Sequence, residues 1–209
     1  MATDKIRAVI FDVGGVLIRP DDPRPRAELE RRLGLAPGAA EELVFNGEMG
    51  TRAQLGEISA GELWRWVQQR LGLDDAGLEE FRRAFFGGDR LDVELVNYVR
   101  ALRPRRQTAI ISNAMDSLRT QLTTDDPAAD AFDLIVCSAE ERVMKPDAAI
   151  YERTLARLGV APDEAVFVDD AARNIAGARA VGMHALHYMP GMDVPGELAR
   201  LGVNAPARA

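Results

Sequence analysis

Five short segments of the chain, several of them almost continuously apolar, constrain its fold more than any other feature. Their length and their content of β-branched residues predict strands. Strands that read as unbroken apolar runs are covered on both faces, which is typical of parallel sheets. The five segments are Ile6–Phe11, Thr108–Ser112, Asp133–Cys137, Ala165–Val168 and His184–Tyr188. We therefore expect a parallel sheet with helices packed on both of its faces.

Helical patterns separate the later strands. One begins at Pro146 and runs to Leu158, with Gly159 after it as a typical C-terminal residue. Another runs from about Ala171 to Val181 and is also followed by a glycine. Because strands and helices alternate in this way, the sequence predicts an α/β protein with a Rossmann-like, doubly wound parallel sheet.

The residues between the first two strands have helical patterns and no convincing strand. The third of these helices begins with Ser59 and Glu62, whose spacing predicts a capping box. Pro, Gly and Asp mark both ends of the region, at Arg19–Pro25 and Gly87–Asp92. The predicted helices are Ala27–Leu33, Pro37–Phe45, Ser59–Leu71 and Leu78–Phe86. We expect a catalytic core of residues 1–19 and 89–209 and an inserted helical bundle of residues 20–88.

Composition excludes several classes of function. The chain has 209 residues, 47% of them hydrophobic, and a formal net charge of −7, so it is not expected to bind nucleic acid through a basic surface. No apolar run approaches the ~18 residues of a membrane span. Cys137 is the single cysteine, which rules out an internal disulfide and is typical of a reducing, cytoplasmic compartment. We expect a cytoplasmic monomer or homodimer with no nucleic-acid or membrane partner.

Four polar clusters follow four of the predicted strands or the loops beyond them. Ligands of open α/β sheets bind at the carboxyl ends of the strands, where these clusters are expected to meet. Each cluster alone is ordinary turn or capping chemistry, but two adjacent carboxylates repel unless a cation or a proton intervenes. The clusters are Asp12-Val13-Gly14-Gly15, Ser112-Asn113, Lys145-Pro146 and Asp169-Asp170. Their order and placement indicate one active site.

The sequence around these clusters resembles the haloacid dehalogenase superfamily, and within it the phosphatases that carry a small helical cap after the first strand. The four matching motifs are IFDVGGVL, IISNA, MKPDAAIYERTLARLG and VFVDDAARNIAGARAVGM. In the inserted region, GEISAGELW is similar to a phrase from the subgroup that includes bacterial glucose-1-phosphate phosphatase and the phosphatase domain of soluble epoxide hydrolase. Four motifs in order specify the superfamily strongly and the substrate weakly.

The resemblance implies a magnesium-dependent phosphatase whose nucleophile is Asp12. A carboxylate needs no deprotonation at neutral pH and can form an aspartyl-phosphate. The implied ligands of Mg²⁺ are Asp12, the backbone carbonyl of Gly14 and Asp170, with Asp169 acting directly or through a water.

The resemblance also implies how a phosphoryl group would be held. Catalytic roles fall to Ser112 and Lys145 beside the nucleophile. The Ser112 hydroxyl, the Lys145 ammonium and backbone amides near Gly15 and Asn113 would contact the phosphoryl oxygens and stabilise charge in the transition state. The expected substrate is a small phosphorylated metabolite.

One position departs from the family pattern. Phosphatases of this superfamily carry a second aspartate two residues after the nucleophile, and here that residue is Gly14. The missing carboxyl is the general acid that protonates the leaving alcohol, and its loss typically lowers the rate ~10²–10⁴-fold. The metal contact survives because it uses the backbone carbonyl.

Three interpretations of Gly14 remain open. The enzyme could act on phosphates that leave easily, such as sugar 1-phosphates, acyl phosphates or aryl phosphates, or take a proton from Asp21, Asp22 or Glu48. It could instead be a catalytically weak binding protein that keeps the architecture of the site. A 2-haloacid dehalogenase also lacks the second aspartate, but such enzymes use no metal and would not gain from the Asp169-Asp170 pair.

Overall fold

The computed structural model describes residues 5–103 and 105–205. Its strands, in chain order, are β1 (Ala8–Phe11), β2 (Ile18–Pro20), β3 (Asp89–Leu91), β4 (Gln107–Ser112), β5 (Leu134–Cys137), β6 (Ala165–Asp169) and β7 (His184–His187). Five of them form a sheet in the order β5-β4-β1-β6-β7, and every neighbouring pair is parallel. All five strands that the sequence predicts are in this sheet.

Eleven α-helices occur in the described residues. In chain order they are α1 (Arg24–Arg32), α2 (Ala39–Glu41), α3 (Glu48–Gln54), α4 (Ala60–Leu71), α5 (Asp75–Phe86), α6 (Val93–Leu102), α7 (Leu118–Thr120), α8 (Ser138–Glu141), α9 (Ala148–Leu158), α10 (Ala172–Ala180) and α11 (Val194–Arg200). Wider π-turns extend α2 and α7, over Glu42–Asn46 and Gln121–Asp125. Short 3₁₀ turns lie at Ala129–Ala131 and Pro162–Glu164.

Side chains alternate between the two faces of the sheet, as the pleat requires. On β1, Val9 and Phe11 pack into one apolar cluster with residues of α6 and α11, whereas Ala8 and Ile10 pack into another with residues of α9 and α10. All four side chains are fully buried. Helices therefore cover both faces, which confirms the predicted doubly wound α/β fold.

The helices between β2 and β3 have an apolar core of their own. Trp64 of α4 meets Phe81 of α5 at a ring-centroid distance of 6.4 Å, and Phe81 stacks on Phe85 at 6.0 Å. At the start of α4 the Glu62 amide donates to the Ser59 hydroxyl and the Ser59 amide donates to the Glu62 carboxylate, which is the predicted capping box. Helix α3 was not expected, because its sequence contains Gly50 and has no apolar repeat.

A two-stranded antiparallel ribbon flanks the inserted helices, where the sequence analysis identified no strand. Strands β2 and β3 pair Ile18 with Leu91 and Pro20 with Asp89. The guanidinium of Arg19 lies 2.5 Å from the carboxylate of Asp92, just beyond the ribbon. These pairings fix the two places where the chain passes between the sheet and the inserted helices.

Three contacts join the inserted helices to the loops beyond β4 and β5. Met115 packs into the apolar core of the inserted helices. The Ala60 amide at the start of α4 donates to Asp116 at 3.0 Å, and the Ser138 hydroxyl donates to the Gln54 carbonyl at 2.6 Å. Among the described residues, no helix is both long and apolar enough to cross a membrane.

Candidate active site

The central strands bring three predicted site residues to one edge of the sheet. Asp12 directly follows β1, Ser112 is the last residue of β4, and Asp169 is the last residue of β6. Because β4 and β6 are the two neighbours of β1, the three side chains converge at the carboxyl ends of adjacent strands. All three residues are buried, with exposed fractions of 8%, 4% and 0%.

Lys145 reaches this edge from the loop between α8 and α9. Its ammonium lies 2.8 Å from Asp12 Oδ2 and 2.7 Å from Asp169 Oδ2, and its side chain is fully buried. The side chain of Asn113 holds the backbone of this residue from both sides, because it accepts from the Lys145 amide at 2.8 Å and donates to the Lys145 carbonyl at 3.0 Å. A fixed cation therefore lies between the two carboxylates.

The adjacent residues Asp169 and Asp170 have different environments. Asp169 accepts hydrogen bonds from the Ala171 amide, the Asn174 side chain and Lys145, which occupy both of its oxygens. Asp170 is exposed, and its carboxylate receives no hydrogen bond within the part of the chain that the structure describes. The first residue thus orients its neighbours, and the second is available to a ligand.

Gly14 and Gly15 differ in what a side chain would meet. A Cβ at Gly14 would have no atom within 4 Å, whereas a Cβ at Gly15 would lie 2.1 Å from Asp170 Oδ2. Gly15 also has φ +76°, in the left-handed region that favours glycine. Only glycine at position 15 therefore lets the loop after Asp12 approach Asp170 this closely. At Gly14, where the related phosphatases have their second aspartate, a side chain would enter open space.

The carboxylates of Asp12, Asp169 and Asp170 suit a divalent cation. One oxygen from each lies within 4.8 Å of the others, and Lys145 supplies only one positive charge. Burial, opposed by Lys145 and reinforced by the charge of Asp169, raises the pKa of Asp12 to about 7. The carboxyl of Asp170 is partly shielded from water, and this shielding and the charge of Asp169 also raise the pKa of Asp170. A cation bound here would have to displace the proton from Asp12, and oxygen ligands of this kind favour Mg²⁺ or Ca²⁺.

Two of the groups expected to bind phosphate differ in availability. The Ser112 hydroxyl makes no hydrogen bond to any described residue although Ser112 is only 4% exposed, so it can donate to a ligand. The Gly15 amide donates to the Ile18 carbonyl at 2.9 Å and closes the turn after β1. Its predicted contact with phosphate would require this N–H to be shared with, or released from, the turn.

A cleft of about 550 Å³ opens between the inserted helices and the sheet at Lys145. Phe45, Asn46 and Thr51 line it from the inserted helices, and Met144 and Arg173 are among its lining residues from the core. The side of the cleft formed by the inserted helices therefore consists of one aromatic ring and polar side chains.

The three alternative proton donors lie elsewhere. None of Asp21, Asp22 and Glu48 lines this cleft. Asp21 pairs with Arg19. The Arg24 guanidinium lowers the pKa of Asp22 to about 2, which makes it a poor acid at neutral pH. None of these three predicted donors therefore lies in the cleft where it could replace the carboxyl missing at Gly14.

Sequence reasoning missed two contributions to the site. The sequence predicted a role for the backbone amide near Asn113, but the side chain of Asn113 also fixes the backbone of Lys145. In the sequence, the only sign of this role is a polar residue directly after a strand. Arg173 lines the cleft from the first turn of α10, and its signal is a basic residue where a helix normally favours acids.

A buried aspartate, a lysine and a carboxylate pair at the carboxyl edge of a parallel sheet, beneath inserted helices, form a charged site of the kind that a hydrolase needs. Comparison with known sequences agrees, because the haloacid dehalogenase-like hydrolase family model matches residues 6–182. The chain belongs to this family.

Two curated relatives match nearly the whole chain. Sesquiterpene phosphatase astK of Aspergillus oryzae is 28% identical over 196 residues, which are 93% of this chain and 96% of that protein. D-ribitol-5-phosphate phosphatase of Bacteroides thetaiotaomicron is 26% identical over 203 residues, which are 92% of this chain and 97% of that protein.

A solved structure has the same architecture. It is a haloacid dehalogenase family enzyme from Bacteroides thetaiotaomicron in complex with magnesium and inorganic phosphate, 20% identical, with a TM-score of 0.77 over 92% of this chain and 98% of that chain. At this identity, the likeness establishes the fold.

Proposed function

We propose that this chain is a magnesium-dependent phosphatase that hydrolyses small phosphate monoesters through an aspartyl-phosphate on Asp12. The observation that carries the proposal is the placement of Lys145 Nζ within 2.8 Å of Asp12 and 2.7 Å of Asp169, with Asp170 beside them. Relatives named as phosphatases, and a structural neighbour with bound magnesium and phosphate, support the same chemistry.

In the proposed reaction an Asp12 oxygen attacks phosphorus and the ester P–O bond breaks. Lys145, the Ser112 hydroxyl and the backbone amide of Asn113 hold the phosphoryl oxygens, where charge increases in the transition state. A water then attacks phosphorus in the aspartyl-phosphate, which returns the Asp12 carboxylate and releases inorganic phosphate. Asn113 and Asp169 keep Lys145 in position throughout.

Asp12, Asp170 and the Gly14 carbonyl would hold Mg²⁺ directly. Asp169 would act through a water, because hydrogen bonds already occupy both of its oxygens. The bound ion supplies positive charge that lets the anionic phosphate approach a carboxylate.

The absence of a carboxyl at Gly14 limits the substrates that the proposed phosphatase can hydrolyse efficiently. A phosphatase without a general acid favours leaving groups that need little protonation, such as sugar 1-phosphates, acyl phosphates or aryl phosphates. The inserted helices of residues 20–88 form a cap over a core of residues 1–19 and 89–209, and we assign the choice of substrate to the cleft between them.

Phosphate release from esters that differ in the acidity of the leaving group tests this function. We expect rates that rise steeply with that acidity, need Mg²⁺ and are lost in Asp12→Asn. Failure to turn over even acyl and aryl phosphates would favour the binding-protein alternative. Chloride release from 2-haloacids without metal would identify a dehalogenase instead.

A matched pair of variants tests the role of Gly14. Gly14→Asp should raise the rate on poor leaving groups about tenfold or more, because the new side chain enters open space and supplies a carboxyl two residues after Asp12. Gly14→Ala fills the same space without a proton and should give no gain. Equal rates for the two variants would show that the missing carboxyl does not limit the reaction.

A further inference from the structure

Arg173 is an uncommitted positive charge on the wall of the cleft. It lies in the first turn of α10, four residues after Asp169, and it lines the same cleft as Lys145. Lys145 is buried and already contacts two carboxylates, whereas Arg173 is exposed. Of the two cations in this lining, Arg173 is the one with no carboxylate partner among the residues that the structure describes.

No described residue pairs with Arg173. This contrasts with Arg179 at the other end of α10, which donates to the Ala185 carbonyl at 3.0 Å, and with Arg26 and Arg119, which pair with glutamates. The first turn of α10 also contains no acidic residue. A cation at this end of a helix faces the positive end of the helix dipole, so the fold gains nothing from it there.

We propose that Arg173 binds a second anionic group of the substrate, a carboxylate or a phosphate, while Lys145 and Asp12 engage the phosphate ester. This inference rests on the proposed function and specifies its substrate class: a small metabolite with a phosphate ester at one end and another anion at the other. The guanidinium suits either anion, because its planar N–H groups match two oxygens at once.

The remaining lining fits a ligand of this kind. Phe45 and Met144 offer apolar contact for the body of the molecule, and Asn46 and Thr51 offer polar groups. Asp147 is the single acid of the lining, and its carboxylate accepts from the Ala149 amide at 2.9 Å as the cap of α9. The volume of about 550 Å³ admits a small metabolite with both of its charged ends.

Phosphonates that cannot be hydrolysed test the subsite without requiring turnover. Calorimetric titration with MgCl₂ present would compare propylphosphonate with 3-phosphonopropionate and propane-1,3-bisphosphonate, and then the corresponding longer chains. We expect at least one anionic-ended probe to bind wild type about tenfold or more tightly than its neutral-ended match. The probe that gains more affinity over propylphosphonate, the one with a carboxylate or the one with a second phosphonate, identifies the anion that Arg173 prefers.

Arg173→Gln should reduce this preference to near unity, and Arg173→Lys should restore part of it. Arg70→Gln is the matched control, because Arg70 is also exposed, unpaired among the described residues and outside the cleft lining. It should keep the full preference. A wild type with no preference at any chain length, or a preference that survives Arg173→Gln, would overturn the subsite.

The two proposals fail in different ways. If the probes show the Arg173-dependent preference but no phosphate ester is hydrolysed, the subsite stands and the phosphatase does not. If esters are hydrolysed and the probes show no preference, the phosphatase stands and the second anion site is wrong.

Discussion

The two walls of the cleft are built differently. The core wall includes Lys145, which is buried and paired with the buried carboxylates of Asp12 and Asp169, and Asn113 and Asn174 hold Lys145 and Asp169 in turn. On the cap wall, Asn46 is exposed and Phe45 and Thr51 are only partly buried. The groups at the first wall are buried and cross-linked by ion pairs and hydrogen bonds, which suits a reaction that needs fixed charges. The second can change residue by residue with little cost to the fold, which suits the choice of substrate.

The largest effect is expected from Lys145→Ala on the core wall. Removing the ammonium leaves Asp12 and Asp169 buried and facing each other, which should cost about 3–5 kcal/mol of unfolding free energy and about 10³-fold in rate. The stability loss should be smaller near pH 5 than near pH 8, because Asp12, whose pKa is about 7, is then protonated and no longer repels Asp169. Urea unfolding at both pH values and phosphate-release assays would measure it.

Asn46→Ala on the cap wall is the contrasting variant. Asn46 is exposed and its side chain makes no hydrogen bond with any described residue, so loss of that side chain should change the unfolding free energy by less than about 0.5 kcal/mol. Lys5→Ala, which removes an exposed lysine paired with Asp163, controls for loss of a lysine. If Lys145→Ala is as stable as these two, the core wall is not the closed network described above.

A smaller effect is expected from Gly15→Ala. The new Cβ would meet Asp170 Oδ2 at 2.1 Å at a residue with φ +76°, so the variant should lose about 1–2 kcal/mol of stability and about tenfold or more in activity at limiting Mg²⁺. Gly14→Ala, one residue earlier, meets nothing and should retain its stability and metal response. Similar behaviour of the two variants would show that Asp170 can move away freely.

The smallest expected effect is a pH dependence of Mg²⁺ binding. The folded-state pKa of Asp12 is raised from 3.8 to about 7, so the stability this carboxyl contributes is present in full below pH 3.8 and is lost as the pH rises through about 7. Magnesium must displace that proton, so its affinity should fall by up to about tenfold per pH unit below pH 7.

Calorimetric titration of wild type with MgCl₂ between about pH 6 and 8 measures this, and the stabilisation by Mg²⁺ should grow over the same range. Asp170→Asn should weaken binding at every pH because it removes a proposed ligand, while the part of the pH dependence that Asp12 causes should remain. A constant affinity across the range would mean that Asp12 is already ionised in the metal-free protein.

Much of this site could be read from the sequence because its positions follow from local signals. Asp12, Ser112 and Asp169 adjoin unbroken apolar runs, and parallel strands bring their carboxyl ends to one edge. The helix start at Ser59 was predicted in the same way, since a capping box involves residues only three apart. The ribbon of β2 and β3 could not be found, because each strand has three residues and its partner is far along the chain.

The sequence by itself determined the five strands of the parallel sheet and their order along the chain, their apolar faces and the absence of a carboxyl at position 14. Tertiary structure alone decided that Lys145 lies between Asp12 and Asp169, that Asn113 fixes it, and that Arg173 lines the cleft with no partner among the described residues. The physical reason is the distance along the chain over which each kind of interaction acts. Propensity and periodicity act over a few residues, whereas burial, ion pairing and the approach of Gly15 to Asp170 depend on segments that meet only after the chain has folded.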